Sequence, residues 1–210
     1  ITAVRPQSPF GVMNLGKDGA IESFEEKPVL DQWINGGFMV LEEKIFDYLN
    51  ISGIYGLHGR AIPTAIGVKL GNPNLNTIVF SGDGDTYSEG MAHFIHACRF
   101  NPDLTLIVND NQSFSLTTGQ ATPTSQLGYK TKAEPLGEYN QPLNPIQLAL
   151  SAGATFVARC NARDIEHTQE IIELGIKHKG FAFIEIIQDC IIFNLEANNK
   201  DSRMYKLPVK

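Results

Sequence analysis

The chain has 210 residues, 42% of them hydrophobic, which is enough to bury the core of one domain or of one domain plus a fragment. Its net charge of −6, with no long basic run, excludes nucleic acid and an anionic membrane surface as main partners. Its apolar stretches are all shorter than the roughly 18 residues of a membrane-spanning helix.

The three cysteines, Cys98, Cys160 and Cys190, lie far apart and form no Cys-x-x-Cys pair. This pattern is neither a disulfide framework nor a zinc or cluster motif. This cysteine pattern predicts a reducing, cytoplasmic setting. No signal peptide is visible. The first residue is Ile1, and we expect the start of the chain to be processed or missing.

Residues 1–50 are predicted to form a small β-rich fragment. A β-hairpin is expected over 11–24, with its turn at 17–19, and a loop, a strand and a short helix are expected after it.

From Tyr55 onward, strand-like and helix-like segments alternate. Helices are predicted over 61–70, 87–100, 145–151 and 163–178, and strands over 76–81, 104–108, 155–159 and 181–187. This alternation predicts an α/β fold with a mostly parallel sheet flanked by helices. The polar segment 109–144 is too long for a simple connection, so we expect it to be functional.

Two polar motifs follow neighbouring predicted strands. Gly-Asp-Gly-Asp at 82–85 ends one strand, and Asn-Asp-Asn at 109–111 ends the next. The carboxyl ends of strands are the ligand-binding edge of an open α/β sheet. The glycines beside Asp83 allow a backbone to approach a phosphate closely. The side-chain oxygens of Asp83 and Asn111 suit a Mg²⁺ ion that also binds a diphosphate.

A turn is the alternative interpretation, because Asp-Gly is a common turn dipeptide and Asn-Asp-Asn suits a loop. A single Gly-Asp-Gly would favour the turn. The pair of motifs reverses that preference, because Gly84 and Asn111 are separated by the 26 residues 85–110 and each motif follows an apolar strand. This arrangement resembles the thiamine-diphosphate motif, in which Asn follows Gly-Asp-Gly at a similar distance.

Longer stretches extend this resemblance. Residues 56–75, 82–132, 144–159 and 177–194 resemble the β subunit of archaeal and bacterial 2-oxoacid:ferredoxin oxidoreductases, in the same order. Residues 51–210 are therefore interpreted as a thiamine-diphosphate-binding domain. The resemblance implies oxidative decarboxylation of a 2-oxoacid to an acyl-coenzyme A, with ferredoxin as electron acceptor and an α subunit as a required partner.

The resemblance also assigns site residues. Asp83 and Asn111 would bind Mg²⁺ through their side chains, and Ser113 would bind it through its carbonyl. His58 and Lys130 are the catalytic candidates, with Lys130 and Lys132 toward the substrate end of the pocket; solvated surface lysines remain an equal alternative. The residues expected to line the thiamine-diphosphate site are His58, Gly82, Asp83, Gly84, Asp85, Asn111, Leu116, Thr117 and Thr118.

An iron–sulfur cluster belongs to the same resemblance, and it requires four ligands. Only Cys190 matches a ligand position, so these residues leave the cluster incompletely ligated. The glutamate that activates the cofactor ring comes from the partner subunit in this family. Glu89 and Glu185 are therefore interpreted as an ordinary helix residue and an ordinary strand residue.

Residues 2–49 resemble a different family, the sugar-phosphate nucleotidyltransferases, and glucose-1-phosphate cytidylyltransferase in particular. Glu-Lys-Pro at 26–28 and the segment 33–38 match its sugar-binding segments. The family's Gly-rich nucleotide loop and catalytic aspartates have no counterpart here, so a nucleotidyltransferase-like remnant is favoured over an active transferase. An inactive thiamine-diphosphate-fold binding domain is a third reading. The two resemblances meet near residues 51–54. Four explanations remain open: a true fusion, an engineered chimera, a sequence assembled from two polypeptides, or an imperfectly read sequence.

Overall fold

The computed structural model describes residues 53–54, 56–190 and 192–194, together with the backbone of four short strands within residues 1–35. The chain divides into two compact units, Ile1–Ser52 and Gly53–Lys210. Each unit is described by itself.

The first unit contains short antiparallel strands. They are β1 (Ala3–Val4), β2 (Val12–Leu15), β3 (Ile21–Glu25) and β4 (Ile34–Asn35). Strand β2 pairs with β3 in an antiparallel register, which confirms the predicted hairpin. Strand β1 pairs with β4 in the same sense. The predicted turn at 17–19, the sugar-binding match at 26–28 and the predicted short helix lie outside the described residues.

The second unit is an α/β structure with one four-stranded parallel sheet in the order β5-β6-β8-β7. Its elements are α1 (Ala61–Gly71), β5 (Ile78–Gly82), a π-helical turn (Asp85–Glu89), α2 (Met91–Phe100), β6 (Leu104–Asp110), α3 (Pro145–Ser151), β7 (Phe156–Asn161), α4 (Ile165–Lys177) and β8 (Phe181–Ile187). The predicted α/β class with a parallel sheet and flanking helices is confirmed.

The predicted helix over 87–100 is wrong at its amino end. The chain first makes the π-helical turn, in which the Gly90 amide donates to the Asp85 carbonyl at 2.9 Å, and α2 begins only after Gly90. A β-carbon on Gly90 would come within 2.8 Å of that carbonyl and 3.3 Å of the Gly59 α-carbon. Glycine therefore permits the tight packing that sets this boundary.

The helix predicted from residue 163 begins two residues later, because Asp164 is its N-cap and accepts a hydrogen bond from the His167 amide at 3.2 Å. The predicted Asn144 cap of α3 is confirmed, since its side chain accepts from the Gln147 amide at 3.1 Å.

Apolar side chains alternate between the two faces of the sheet, as the two-residue period of a strand requires. On β6, Leu106 and Val108 pack into the cluster that contains residues of α1, α2 and α3, whereas Ile107 packs toward α4. Tyr87, Phe94 and Phe183 form edge-to-face pairs in the first cluster, with ring centroids 4.9–6.5 Å apart. Helices pack on both faces of the sheet, and the central strands β6 and β8 are buried along almost their whole length, in keeping with their mostly apolar residues.

No helix in the described part of the chain is long and apolar enough to cross a membrane.

Candidate functional site

The two polar motifs meet at the carboxyl edge of the sheet. Gly82 on β5 pairs with Asn109 on β6, so the residues that follow each strand leave the sheet side by side. Asp83 is only 2% exposed and Asn111 only 7% exposed. The pairing of strands that are separate in sequence therefore brings the predicted carboxylate and amide to one buried edge, as the sequence predicted.

Asp83 is held by threonine hydroxyls. Its Oδ2 atom accepts hydrogen bonds from Thr122 Oγ1 at 2.6 Å and from Thr124 Oγ1 at 3.0 Å. Burial and the nearby charge of Asp110 together raise the pKa of Asp83 to about 7, although the two hydroxyls act in the opposite direction. A nearby cation would favour the charged form of this carboxylate.

Asp110 adds a second acid to the same edge. It is fully buried, and its Oδ1 atom lies 2.9 Å from Thr124 Oγ1 and 3.1 Å from the Gln112 amide. A threonine hydroxyl has one hydrogen, so Thr124 can donate to Asp83 or to Asp110 but not to both at once. Two carboxylates thus share one hydroxyl donor in a buried site.

Asn111 is fixed by a short turn. Its Oδ1 atom accepts from the Ser113 amide at 3.0 Å, and its Nδ2 group donates to Ser115 Oγ at 3.1 Å. Ser113 is 4% exposed. The backbone of Ser113 therefore lies beside Asn111, the arrangement that a shared metal site would need.

The two glycines that flank Asp83 differ in their surroundings. A β-carbon on Gly82 would meet no atom of the chain within 4 Å, whereas one on Gly84 would lie 2.2 Å from the Phe114 ring. The open space is therefore next to Gly82. Gly84 has a packing role, because it allows the Phe114 ring to lie against the backbone.

Asp85 connects the site to the loop that carries His58. Its Oδ1 atom accepts from the Gly59 amide at 2.6 Å and lies 3.3 Å from His58 Nδ1, and its Oδ2 atom accepts from Ser81 Oγ. The His58 side chain is 47% exposed. The structure thus brings His58 next to the Gly-Asp-Gly-Asp motif, 27 residues away in sequence.

Leu116, Thr117 and Thr118 occupy the exposed tip of a closed loop. An isolated antiparallel bridge between Phe114 and Gln120 closes that loop. Thr118 has a φ of 80°, an uncommon conformation for a residue with a β-carbon. This tip is exposed to solvent.

Lys130 and Lys132 are exposed and lie in a separate turn. Paired backbone hydrogen bonds between Tyr129 and Glu138 and between Gly128 and Glu138 close the turn. In the described structure, no contact joins either lysine to Asp83 or Asn111.

Several buried residues around Asp83 were not among the predicted site residues. They are Asp110, Gln112, Thr122, Thr124 and Ser125, each at most 4% exposed. A signal was present, because the Thr-Pro-Thr-Ser run at 122–125 and the acid within Asn-Asp-Asn are polar residues in the loop expected to be functional. Their partners could not be inferred, since Thr122 lies 39 residues from Asp83.

A third buried acid, Glu185, lies on β8. Glu185 is fully buried, its Oε2 atom accepts from Arg159 Nε at 2.5 Å, and its Oε1 atom accepts from the Tyr87 hydroxyl at 3.2 Å. Burial and the charge of Asp110 raise the pKa of Glu185 to about 7, and Arg159 opposes them. Glu185 is therefore a strand residue with its own counter-ion, in keeping with the sequence interpretation, and Glu89 is exposed.

The cysteines do not gather. Cys98 and Cys160 are fully buried in different apolar clusters, and burial raises the pKa of both thiols. Cys190 is 6% exposed, and its sulfur lies 3.3 Å from Ser115 Oγ. Within the part of the chain that the structure describes, no three His, Cys, Asp or Glu side chains form a metal-binding group.

Comparison with known proteins gives two family matches. The family described as "Thiamine pyrophosphate enzyme, C-terminal TPP binding domain" matches residues 37–186, and the family described as "Nucleotidyl transferase" matches residues 1–58. The two matches overlap at residues 37–58.

Similar proteins include a "2-oxoacid:ferredoxin oxidoreductase subunit beta" of Saccharolobus solfataricus, 50% identical over 77% of this chain and 54% of the relative. A "2-oxoglutarate synthase subunit KorB" of Archaeoglobus fulgidus is 42% identical over 70% of this chain and 55% of the relative. This chain spans about half the length of the curated relatives it matches.

A solved structure agrees with these relatives. The "2-oxoglutarate:ferredoxin oxidoreductase from Magnetococcus marinus with 2-oxoglutarate, coenzyme A and succinyl-CoA bound" matches with a TM-score of 0.67 and 37% identity, over 68% of this chain and 49% of that one. The resemblance to β subunits of 2-oxoacid:ferredoxin oxidoreductases is thereby confirmed. Because the first family match covers more than two thirds of its length, the chain belongs to the thiamine pyrophosphate enzymes and carries their C-terminal TPP binding domain.

Proposed function

We propose that residues 51–210 form the thiamine-diphosphate and Mg²⁺ site of a 2-oxoacid:ferredoxin oxidoreductase β subunit. One observation carries the proposal: the buried carboxylate of Asp83 lies at the carboxyl edge of a parallel sheet, next to the strand that leads to Asn111, and hydroxyl groups hold it. The family membership and the similar proteins support the same assignment.

The described residues fit a Mg²⁺ ion. Asp83 supplies a carboxylate, Asn111 an amide oxygen and the adjoining Ser113 a backbone carbonyl, which are the hard oxygen ligands that Mg²⁺ prefers. Two buried acids with a shared hydroxyl donor would also gain from a positive charge, because like charges in a buried site repel each other. The other Mg²⁺ ligands would come from the diphosphate and water.

The same edge fits a diphosphate. The space beside Gly82 lets a ligand approach the backbone, and the exposed tip formed by Leu116, Thr117 and Thr118 is available to cover it. His58 would lie near the cofactor through its contact with Asp85. When bound, thiamine diphosphate supplies a stabilised carbanion for chemistry at the 2-oxo carbon, and the protein orients it.

The substrate and partners follow from the similar proteins. We assign a 2-oxoacid and coenzyme A as substrates, ferredoxin as electron acceptor and an α subunit as the partner that completes the enzyme. Lys130 and Lys132 are exposed cations that would suit an anionic 2-oxoacid, with Lys130 as the catalytic candidate.

An iron–sulfur cluster does not fit the described residues. Cys98 and Cys160 are buried in separate apolar clusters, so Cys190 is the one thiol near the site. Four ligands are normally needed. No step of the reaction is therefore assigned to a cluster held by these residues.

For residues 1–50 we propose a nucleotidyltransferase-like fragment without transferase activity. The match to nucleotidyl transferases over residues 1–58 and the β2–β3 hairpin support this origin.

Reconstitution tests the proposed function. The purified full chain would be assayed with pyruvate or 2-oxoglutarate, coenzyme A and a viologen dye as electron acceptor, with and without an oxidoreductase α subunit. Dye reduction is expected only with the α subunit, and Asp83→Ala should abolish it. Glu173→Gln, an exposed change on α4, is the control that should keep the activity. Turnover by the chain alone, or by the Asp83→Ala variant, would contradict the proposal.

A further inference from the structure

The segment Thr122–Ser125 forms a buried turn against the carboxyl edge of the sheet, where Asp83 lies. Thr122, Thr124 and Ser125 are 4%, 2% and 1% exposed. The Ser125 amide donates to the Thr122 carbonyl at 3.0 Å, and Ser125 Oγ accepts from the Thr122 amide at 2.8 Å. These reciprocal hydrogen bonds fix the backbone that carries the two threonine hydroxyls.

Two further hydrogen bonds attach the turn to its surroundings. Ser125 Oγ donates to the Gln112 carbonyl at 2.8 Å, directly beside Asn111 and Ser113 in the sequence. The Leu143 amide donates to the Pro123 carbonyl at 2.7 Å, just before the N-cap of α3. The turn is therefore connected both to the Asn111 loop and to the helix that covers the sheet.

Both hydroxyls of the turn lie within hydrogen-bond distance of the same oxygen of Asp83, and Thr124 shares its one hydrogen between Asp83 and Asp110. The distances to Oδ2 are 2.6 Å from Thr122 and 3.0 Å from Thr124. A carboxylate held at one oxygen by two donors cannot rotate freely about its Cβ–Cγ bond. Such outer hydrogen bonds commonly set the orientation, and hence the affinity, of a metal-ligating carboxylate.

We propose that Thr122 and Thr124 are positioning residues for the cation site: they hold Oδ2 of Asp83 so that Oδ1 is presented to a divalent metal. This inference rests on the proposed function in that it takes Asp83 as a metal ligand. Thr122 has the larger effect, because its contact is shorter and the hydrogen of Thr124 is shared with Asp110. The run Thr-Pro-Thr-Ser at 122–125 thus orients the side chain of Asp83, about 40 residues earlier in the sequence. These hydrogen bonds exist only in the folded chain.

Metal affinity tests the inference without requiring turnover. The full chain would be titrated with Mn²⁺ in the presence of thiamine diphosphate, and free Mn²⁺ would be followed by electron paramagnetic resonance. Thr122→Val removes the hydroxyl with little change of shape and should weaken Mn²⁺ binding by about 10–100-fold, and Thr124→Val should weaken it less. Thr122→Ser restores a hydroxyl and should return the affinity to within about threefold of the parent.

Thr105→Val is the matched control. Thr105 is also a buried threonine, 3% exposed, but its hydroxyl donates to the Gly175 carbonyl of α4. This variant should lose stability in urea unfolding without a change in Mn²⁺ affinity. If Thr122→Val does not fold, the comparison of Thr124→Val with Thr124→Ser decides in its place.

Asp83→Asn distinguishes the metal site itself from the positioning role of the two threonines. If it abolishes Mn²⁺ binding while both threonine-to-valine variants bind like the parent, the positioning inference is wrong and the proposed function stands. If Asp83→Asn binds Mn²⁺ like the parent, the metal site itself is wrong, and the positioning inference falls with it.

Discussion

Asp83 and Glu185 are two buried carboxylates, the first just after β5 and the second on β8, and their surroundings differ. Burial raises the pKa of each to about 7. Glu185 has a counter-ion within the chain, since Arg159 lies 2.5 Å away on the neighbouring strand. Asp83 is held by two threonine hydroxyls, and the charge of Asp110 acts on both carboxylates. Glu185 gains its counter-ion when the chain folds. Asp83 would gain one only when a cation binds.

The comparison gives each acid a different expected role. The Glu185–Arg159 ion pair is expected to be structural. Removing one partner of such a pair leaves an unpaired charge in the interior, which destabilises the fold. A buried carboxylate near another acid, at the ligand-binding edge of the sheet, is typical of a functional site. Variants around Glu185 should therefore change stability, and variants around Asp83 should change ligand binding.

The largest stability effect is expected from Arg159→Met. This change leaves Glu185 buried without its cation and should lower the free energy of unfolding by about 2–3 kcal/mol at pH 8, measured by urea denaturation. The expected loss of stability is smaller than for a fully buried ion pair, because the Arg159 side chain is 22% exposed. Adding Glu185→Gln in the same chain should recover most of the loss. A loss that persists unchanged in the double variant would show that the pair is not the cause.

Alanine variants of Gly82 and Gly84, the two glycines that flank Asp83, test whether each glycine serves ligand binding or packing. Gly84→Ala should destabilise the chain by about 1–3 kcal/mol, because its β-carbon would overlap the Phe114 ring. Gly82→Ala should change the unfolding free energy by less than about 0.5 kcal/mol, since nothing lies within 4 Å of its β-carbon. It should still weaken thiamine-diphosphate binding, measured by calorimetry. Unchanged cofactor binding in Gly82→Ala would mean that the open space has no ligand.

A pH-dependent effect on stability is expected from the titration of Glu185. Its pKa is 4.5 in the unfolded chain and about 7 in the folded one, so between these values the folded state holds a proton that the unfolded state has lost. Stability from this group is therefore complete below pH 4.5 and is lost as the pH rises toward 7, with a slope of at most about 1.4 kcal/mol per pH unit. Glu185→Gln lacks this titration. Unfolding curves of the two proteins at pH 4.5 and pH 7.5 should differ accordingly, and a constant difference would contradict the shift.

The fold could be predicted because its signals are local. Apolar runs such as 104–108 and 181–187 indicate buried strands, and Asn144 before Pro145 indicates a helix start. The placement of Asp83 and Asn111 at one edge followed from the parallel sheet, because carboxyl ends of parallel strands lie together.

The remaining contacts could not be predicted because they join residues distant in sequence. The Glu185–Arg159 pair depends on the register of β7 against β8, and the Thr122–Asp83 bond depends on the path of a long loop. The π-helical turn at 85–89 depends on close packing of Gly59 against Gly90. Periodicity and residue type carry no information on such pairings.

The central claim is that Asp83 belongs to a cation-dependent cofactor site and Glu185 does not. Calorimetric titration of the full chain with thiamine diphosphate, in Mg²⁺ and in a chelator, tests it most directly. Binding is expected only with Mg²⁺, weakened at least about 100-fold by Asp83→Asn and less than about threefold by Glu185→Gln. Equal affinity with and without Mg²⁺, or equal effects of the two substitutions, would contradict the account.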